Sequence, residues 1–107
     1  MRVFICYLII ILPLAATAAD APQFELTIKD HRFQPAELTI PAKLKVKLLV
    51  KNEDDTPEEF ESRELNREKV VAGKSSITVY IGPLDAGTYP FFGDFHPDSA
   101  QGKLIVK

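Results

Sequence analysis

The sequence predicts an all-β fold, and three features carry that prediction. Apolar and polar residues alternate over most of residues 24–106, turn-forming residues punctuate each interval, and the one stretch without clean alternation offers no helical stripe. Phe24, Leu26 and Ile28 alternate with Glu25, Thr27 and Lys29, the pattern of a half-buried strand. Leu38 and Ile40 form a short strand between Pro35 and Pro41. Leu44, Val46, Leu48 and Val50 alternate with Lys43, Lys45, Lys47 and Lys51, and Leu49 alone interrupts the outer face. Across Glu58 to Lys69 a helix would leave Phe60 and Leu65 on no common stripe, so strand, loop and strand are expected there. Ile77, Val79 and Ile81 precede the Gly82-Pro83 break, Tyr89 and Phe91 follow Gly87, and Leu104 with Val106 closes the chain. The intervals Asp30 to Pro35, Asn52 to Pro57, Ala72 to Lys74, Gly82 to Gly87 and Phe95 to Gln101 read as turns. About seven to eight short strands at this spacing make a sandwich or a small barrel.

The 107 residues carry 13 Lys and Arg against 15 Asp and Glu, a net charge of −2. Binding to nucleic acid needs a cationic face to neutralise phosphates, so that class is excluded. Residues 1–19 read as a cleaved signal peptide: Arg2 supplies the positive start, Val3 to Leu14 the apolar core, and Ala16-Thr17-Ala18 the small-residue cleavage site. The apolar run is shorter than the roughly 20 residues that span a bilayer. The expected product is an exported single domain, residues 20–107, monomeric and not membrane-spanning after cleavage. Cys6 and Met1 are the one cysteine and one methionine, and both lie in the leader. The remaining domain can form no disulfide and depends on its core, or on a bound ion, for stability.

No hydrolase or transferase motif is present: Ser62, Ser75, Ser76 and Ser99 lack a G-x-S-x-G setting, and no Gly-rich phosphate loop exists. Two segments concentrate oxygen and imidazole donors instead. In the acidic segment Asn52 to Ser62, Glu59 and Glu61 stand two apart on a strand, so their carboxylates share a face and can converge on one cation. Phe60 between them pins the strand to the core, although an acidic run is also the ordinary composition of a solvated loop. In the second segment, Gly87 to Lys107, His96 occupies a turn flanked by Asp94 and Asp98, with Phe91, Phe92 and Phe95 to surround it. Imidazole is the commonest transition-metal ligand, and nearby carboxylates raise its metal affinity. His31, in the first turn, reads as a structural residue rather than a ligand. The lysine row Lys43, Lys45, Lys47 and Lys51 reads as a solvated strand face, with electrostatic docking as the alternative.

The order of these segments resembles the cupredoxin family of Greek-key β-sandwich copper proteins over nearly the whole exported chain. In that family a histidine follows the proline of the first loop, and the last loop supplies a cysteine, a second histidine and usually a methionine to copper. Here Glu58 follows Pro57, Gly93 stands where the cysteine belongs, His96 keeps the second histidine, and the methionine position falls near Ala100. A blue copper centre requires its thiolate, so that centre cannot form.

The strings EEFESRELNREKVV, Glu58 to Val71, and IGPLDAGTYPFFGDFHPDSAQGKL, Ile81 to Leu104, resemble a divergent branch: the cupredoxin-like periplasmic proteins of bacterial ferrous iron uptake. That resemblance implies a periplasmic protein handling iron or copper beside a periplasmic iron-binding protein and a membrane iron permease, with no organic cofactor. An accessory role in iron oxidation is left open, because one small site lacks a second redox centre. Replacing sulfur ligands by carboxylates and imidazole shifts preference toward harder ions such as Fe(II), Fe(III), Mn(II) or Cu(II). The expected site is His96 with Glu59, Glu61 and Glu68, and with Glu58 and Asp94 as alternates. Strand alternation forbids Glu58, Glu59 and Glu61 from all sharing one face, so at least one of them stands outside the site.

Overall fold

A computed structural model of the chain describes Val3, Ile5, Cys6 and residues 21–107. The expected leader, residues 1–19, otherwise lies outside the described residues. All regular structure among the described residues is strand: β1 Gln23–Lys29, β2 Arg32–Gln34, β3 Glu37–Ile40, β4 Val46–Asn52, β5 Glu58–Ser62, β6 Arg67–Val71, β7 Ser76–Ile81, β8 Gly87–Gly93 and β9 Gln101–Val106. They form a four-stranded sheet in the order β2-β1-β4-β7 and a five-stranded sheet in the order β3-β9-β8-β5-β6. The all-β sandwich is therefore the fold, with nine strands against the expected seven to eight.

Alternation explains the core. Leu26 and Ile28 of β1, with Val46, Leu48 and Val50 of β4, face Phe60, Phe91, Leu104 and Val106 of the other sheet, and all are buried. Phe33, Phe60 and Phe91 form an aromatic cluster. Phe33 meets Phe91 edge to face at 4.9 Å and Phe60 at 6.2 Å, while Phe60 and Phe91 lie 5.3 Å apart. Such pairs add about 0.5–1.5 kcal/mol each beyond the area they bury.

Two boundaries differ from the sequence reading. The interval expected as one turn, Asp30 to Pro35, contains β2, whose three residues are too few to show alternation, although Phe33 enters the core. Leu44, expected on the inward face of β4, is half exposed and precedes the strand. Lys43 there has φ 62° and its N–H donates to the Leu84 carbonyl, so the chain is still turning. Gly82, at φ 87°, lets this corner close, since a β-carbon on it would stand 2.8 Å from the Leu44 carbonyl oxygen.

The two sheets expose edges at β6 and β7, and side chains cover them. Arg67 Nε donates to the Tyr80 carbonyl at 3.1 Å and Lys69 Nζ to the Thr78 carbonyl at 3.2 Å, so cations of one edge satisfy acceptors of the other. Three lysines of the row are likewise engaged within the molecule: Lys43 with Asp85, Lys51 with Glu25 at 3.1 Å, and Lys45 over the Tyr80 ring.

Candidate metal centre

Glu58 opens β5 directly after Pro57, and the pleat sends Glu58, Phe60 and Ser62 inward while Glu59 and Glu61 face outward. Glu58 is 1% exposed, a burial that a carboxylate tolerates only when its oxygens are satisfied. Oε1 accepts the N–H of Phe95 at 2.9 Å and that of Glu59 at 3.0 Å, and Oε2 lies 2.6 Å from His96 Nδ1. Ionised partners make such hydrogen bonds short and about twice as strong as neutral ones.

Gly93 provides the room. It pairs with Phe60 across β8 and β5, and a β-carbon at this position would run into the Glu58 carboxyl and the Ala100 methyl. The site that the resemblance assigns to a cysteine is thus occupied from the neighbouring strand by a carboxylate.

His96 sits in a tight turn after β8. Its carbonyl accepts the N–H of Ala100 at 2.8 Å, and its own N–H donates to the Gly93 carbonyl at 3.2 Å. Its ring stacks on that of His31, with centroids 3.6 Å apart and planes 16° from parallel. His31 arrives there through the two-residue connection between β1 and β2, where Asp30 and His31 have φ 52° and 57°. Asp and His are among the non-glycine residues that adopt this left-handed conformation most readily, and two such residues suit the twist of a hairpin.

His31, Glu58 and His96 therefore offer donor atoms that all lie within 4.8 Å of one another. They are 27 to 65 positions apart in the chain. Both rings are partly exposed while the carboxylate is buried, so the donors form a shallow group that opens to solvent through the imidazoles. Two nitrogens and a carboxylate oxygen suit Cu(II), iron or another borderline-to-hard cation, and they exclude a thiolate-ligated copper centre. A ligating imidazole must be neutral, so His96 would bind an ion through Nε2 with Nδ1 kept on Glu58 Oε2, or through Nδ1 once that hydrogen bond is given up.

The remaining expected residues form a second group. Glu59, Glu61 and Asp94 have carboxylate oxygens within 4.8 Å of one another on the outer side of β5. Glu68, opposite Glu61 on β6, shares a hydrogen bond with Glu59. The Glu59 carboxyl is pushed up to about 7 by desolvation first, then by that hydrogen bond and by the negative charges of Glu68, Asp94 and Glu61. The expected grouping of His96 with Glu59, Glu61 and Glu68 is not the one the fold brings together. The alternate Glu58 is the carboxylate beside His96; strand alternation puts Glu59 and Glu61 on the opposite face, where Glu68 of β6 and Asp94 after β8 join them.

Two surroundings also differ from expectation. Phe91 is buried in the core and Phe92 is half-buried beneath Arg63, but Phe95 is 45% exposed and does not enclose the histidine. His31, read from the sequence as structural, is the residue the sequence reasoning left out of the group. A hairpin of β1 and β2 would have placed it at the sandwich end, but Arg32-Phe33-Gln34 is too short to be recognised as a strand.

Comparison with known proteins agrees with this architecture. A family model described as Cupredoxin-like domain matches residues 2–106. An uncharacterized protein of Rickettsia prowazekii (strain Madrid E) is 49% identical over 84 residues, covering 78% of this chain and 67% of that protein. Among solved structures, auracyanin A, a "blue" copper protein from Chloroflexus aurantiacus, superposes with a TM-score of 0.69 at 20% identity, over 79% of this chain and 98% of that one. The metal-binding domain of the Cu(I)-exporting P-type ATPase CopA of Streptococcus pneumoniae D39 gives 0.67 at 10% identity, over 79% and 84%. Amicyanin from Paracoccus versutus gives 0.63 at 22% identity, over 87% of each chain. At these identities the structural likeness speaks for the fold, and the sequence match speaks for the family: the chain belongs to the cupredoxin-like domain family.

Proposed function

We propose that this protein is an exported cupredoxin-like metal carrier that holds one iron or copper ion between His31, Glu58 and His96. The observation that supports it is the convergence of two imidazoles from two connections and a buried carboxylate from the start of β5, at one end of the sandwich. In this reading the buried carboxylate supplies a fixed anionic oxygen, held by two backbone N–H groups. The partly exposed imidazoles give the ion a path in and out. Such a site suits hand-over rather than permanent storage.

Assistance to ferrous iron import is the finer part of the proposal. It rests on the resemblance of residues 58–71 and 81–104 to the iron-uptake branch, and its partners would be a periplasmic iron-binding protein and a membrane iron permease. Carboxylate and imidazole donors stabilise Fe(III) relative to sulfur donors, so the same site would ease iron oxidation. A copper carrier is the second reading, favoured by the copper-binding proteins among the structural neighbours.

Calorimetric titration with Cu(II) and, anaerobically, with Fe(II) tests both readings on wild type and His96→Ala. Saturable binding of one ion in wild type and its loss in the variant is the expected result. Fe(II) binding followed by oxidation on admission of oxygen favours the iron role, and binding of copper alone favours the copper carrier. Identical titrations of wild type and variant would remove His96 from the site.

A further inference from the structure

The Asp54 side chain lies outside the donor group yet touches the residue that completes it. Oδ1 accepts the N–H of Asp30 at 2.8 Å and Oδ2 accepts that of His31 at 3.0 Å, so one carboxylate spans both left-handed residues of the β1–β2 connection. Oδ2 is also 3.5 Å from His31 Nδ1. Burial opposes the Asp54 charge, but the two N–H groups and the charges of His31 and Lys74 outweigh it and hold the carboxyl below its usual value.

Asp54 is itself fixed from behind. Its N–H donates to Asn52 Oδ1 at 3.0 Å, and the buried Asn52 amide donates to the Thr56 carbonyl at 2.9 Å and the Val71 carbonyl at 3.2 Å. The Asp54 carbonyl accepts the N–H of Lys74 at 2.9 Å. Gly73 permits that approach, because a β-carbon there would collide with the Asp55 carbonyl. On the other side, Ser99 Oγ donates to the His31 carbonyl at 2.6 Å, tying the hairpin to the connection that carries His96. Hydrogen bonds thus run from the β4–β5 loop through the β1–β2 turn to the β8–β9 loop, and the His31 ring is set flat on His96 at the crossing.

We propose that Asp54 is a positioning residue of the metal centre, acting through His31 by clamping both N–H groups of its turn. The proposal rests on the metal-carrier reading, and partners that orient a ligating histidine in this way typically change metal affinity by about 10–100-fold when removed. Asp54 does not touch the ion. It determines whether His31 is held beside Glu58 and His96 before the ion arrives, and the stacked rings then turn apart for both to reach one ion.

The test joins a copper-competition titration to NMR of the metal-free protein, for wild type, Asp54→Ala, Asp54→Asn, His31→Ala and Asp54→Ala/His31→Ala. In wild type the stacked rings shift each other's ring protons upfield. Asp54→Ala should abolish that shift and weaken Cu(II) binding by about 10-fold or more, with Asp54→Asn between the two. In the His31→Ala background, Asp54→Ala should cost no further affinity, whereas a general structural role would lower it again. Wild-type affinity and ring shifts in a folded Asp54→Ala would overturn the proposal, as would an undiminished loss in the absence of His31. Should Asp54→Ala not fold, Asp54→Asn carries the same comparison. A wild-type protein that takes up neither Cu(II) nor, anaerobically, Fe(II) would refute the metal reading, while the ring shifts alone would still decide whether Asp54 positions His31.

Discussion

The carboxyl carbon of Glu58 lies 2.6 Å from the point where a β-carbon on Gly93 would stand, closer than any two such atoms can pack. The glycine and the glutamate are therefore one structural unit: the carboxylate occupies the interior because the facing strand has no side chain there. Gly93→Ala should destabilise the domain by about 1–3 kcal/mol through overpacking. In Glu58→Ala/Gly93→Ala the clash with the carboxyl is absent and only that with the Ala100 methyl remains, so urea denaturation should give a double-mutant coupling of favourable sign. Simple additivity would show that the two positions do not compete for space.

Glu58→Ala alone strands the N–H groups of Glu59 and Phe95, and removes the partner of His96 Nδ1. Each buried group left unpaired costs about 1–3 kcal/mol. Glu58→Gln keeps one oxygen for the two backbone donors and should recover most of that stability while leaving metal binding weak. Chemical denaturation and metal titration of the two variants separate the structural from the ligating contribution.

Phe60 is fully buried between the outward glutamates and packs against Phe33 and Phe91. Phe60→Ala should cost about 3–5 kcal/mol, a large share of the roughly 5–15 kcal/mol available to a small domain. Denaturation of the variant would show a lowered midpoint with an unchanged slope. A loss below about 1 kcal/mol would mean that the aromatic cluster does not anchor β5.

Glu59 gives the domain a pH dependence of defined sign. Its carboxyl titrates at about 7 in the folded state against an ordinary value of 4.5, so folding favours the protonated form. The resulting stabilisation is complete below 4.5 and is lost as the pH rises through about 7. Carboxyl NMR should place the Glu59 midpoint near that value, and Glu68→Gln should lower it by removing the neighbouring negative charge. A Glu59 midpoint unmoved in Glu68→Gln would rule out the pairing of the two side chains. Asp54 acts with the opposite sign: its lowered value adds stability above the ordinary 3.8 that is lost as acid protonates it.

The outline of this molecule was legible because period-two alternation encodes which face each residue takes. Phe60 with Glu59 and Glu61 on its two sides announced an inward ring and outward carboxylates, and that is where they lie. The same alternation separates Glu58 from its neighbours, but nothing local joins Glu58 to His96, 38 positions away. That pairing depends on β5 lying beside β8 and on a glycine opposite the carboxylate, which are tertiary facts. His31 was hidden further, since its role depends on a turn held by Asp54 and on a three-residue strand with no readable period.

Copper-loaded protein examined by paramagnetic resonance and optical absorption tests the metal centre most directly. Loading with one equivalent of Cu(II) should give a single signal with hyperfine structure from two imidazole nitrogens, and no intense thiolate band in the visible spectrum. The two-nitrogen pattern should fall to one nitrogen in His31→Ala and in His96→Ala. A signal unaffected by either substitution, or copper that washes away from the wild-type protein without saturating it, would contradict a centre built from His31, Glu58 and His96.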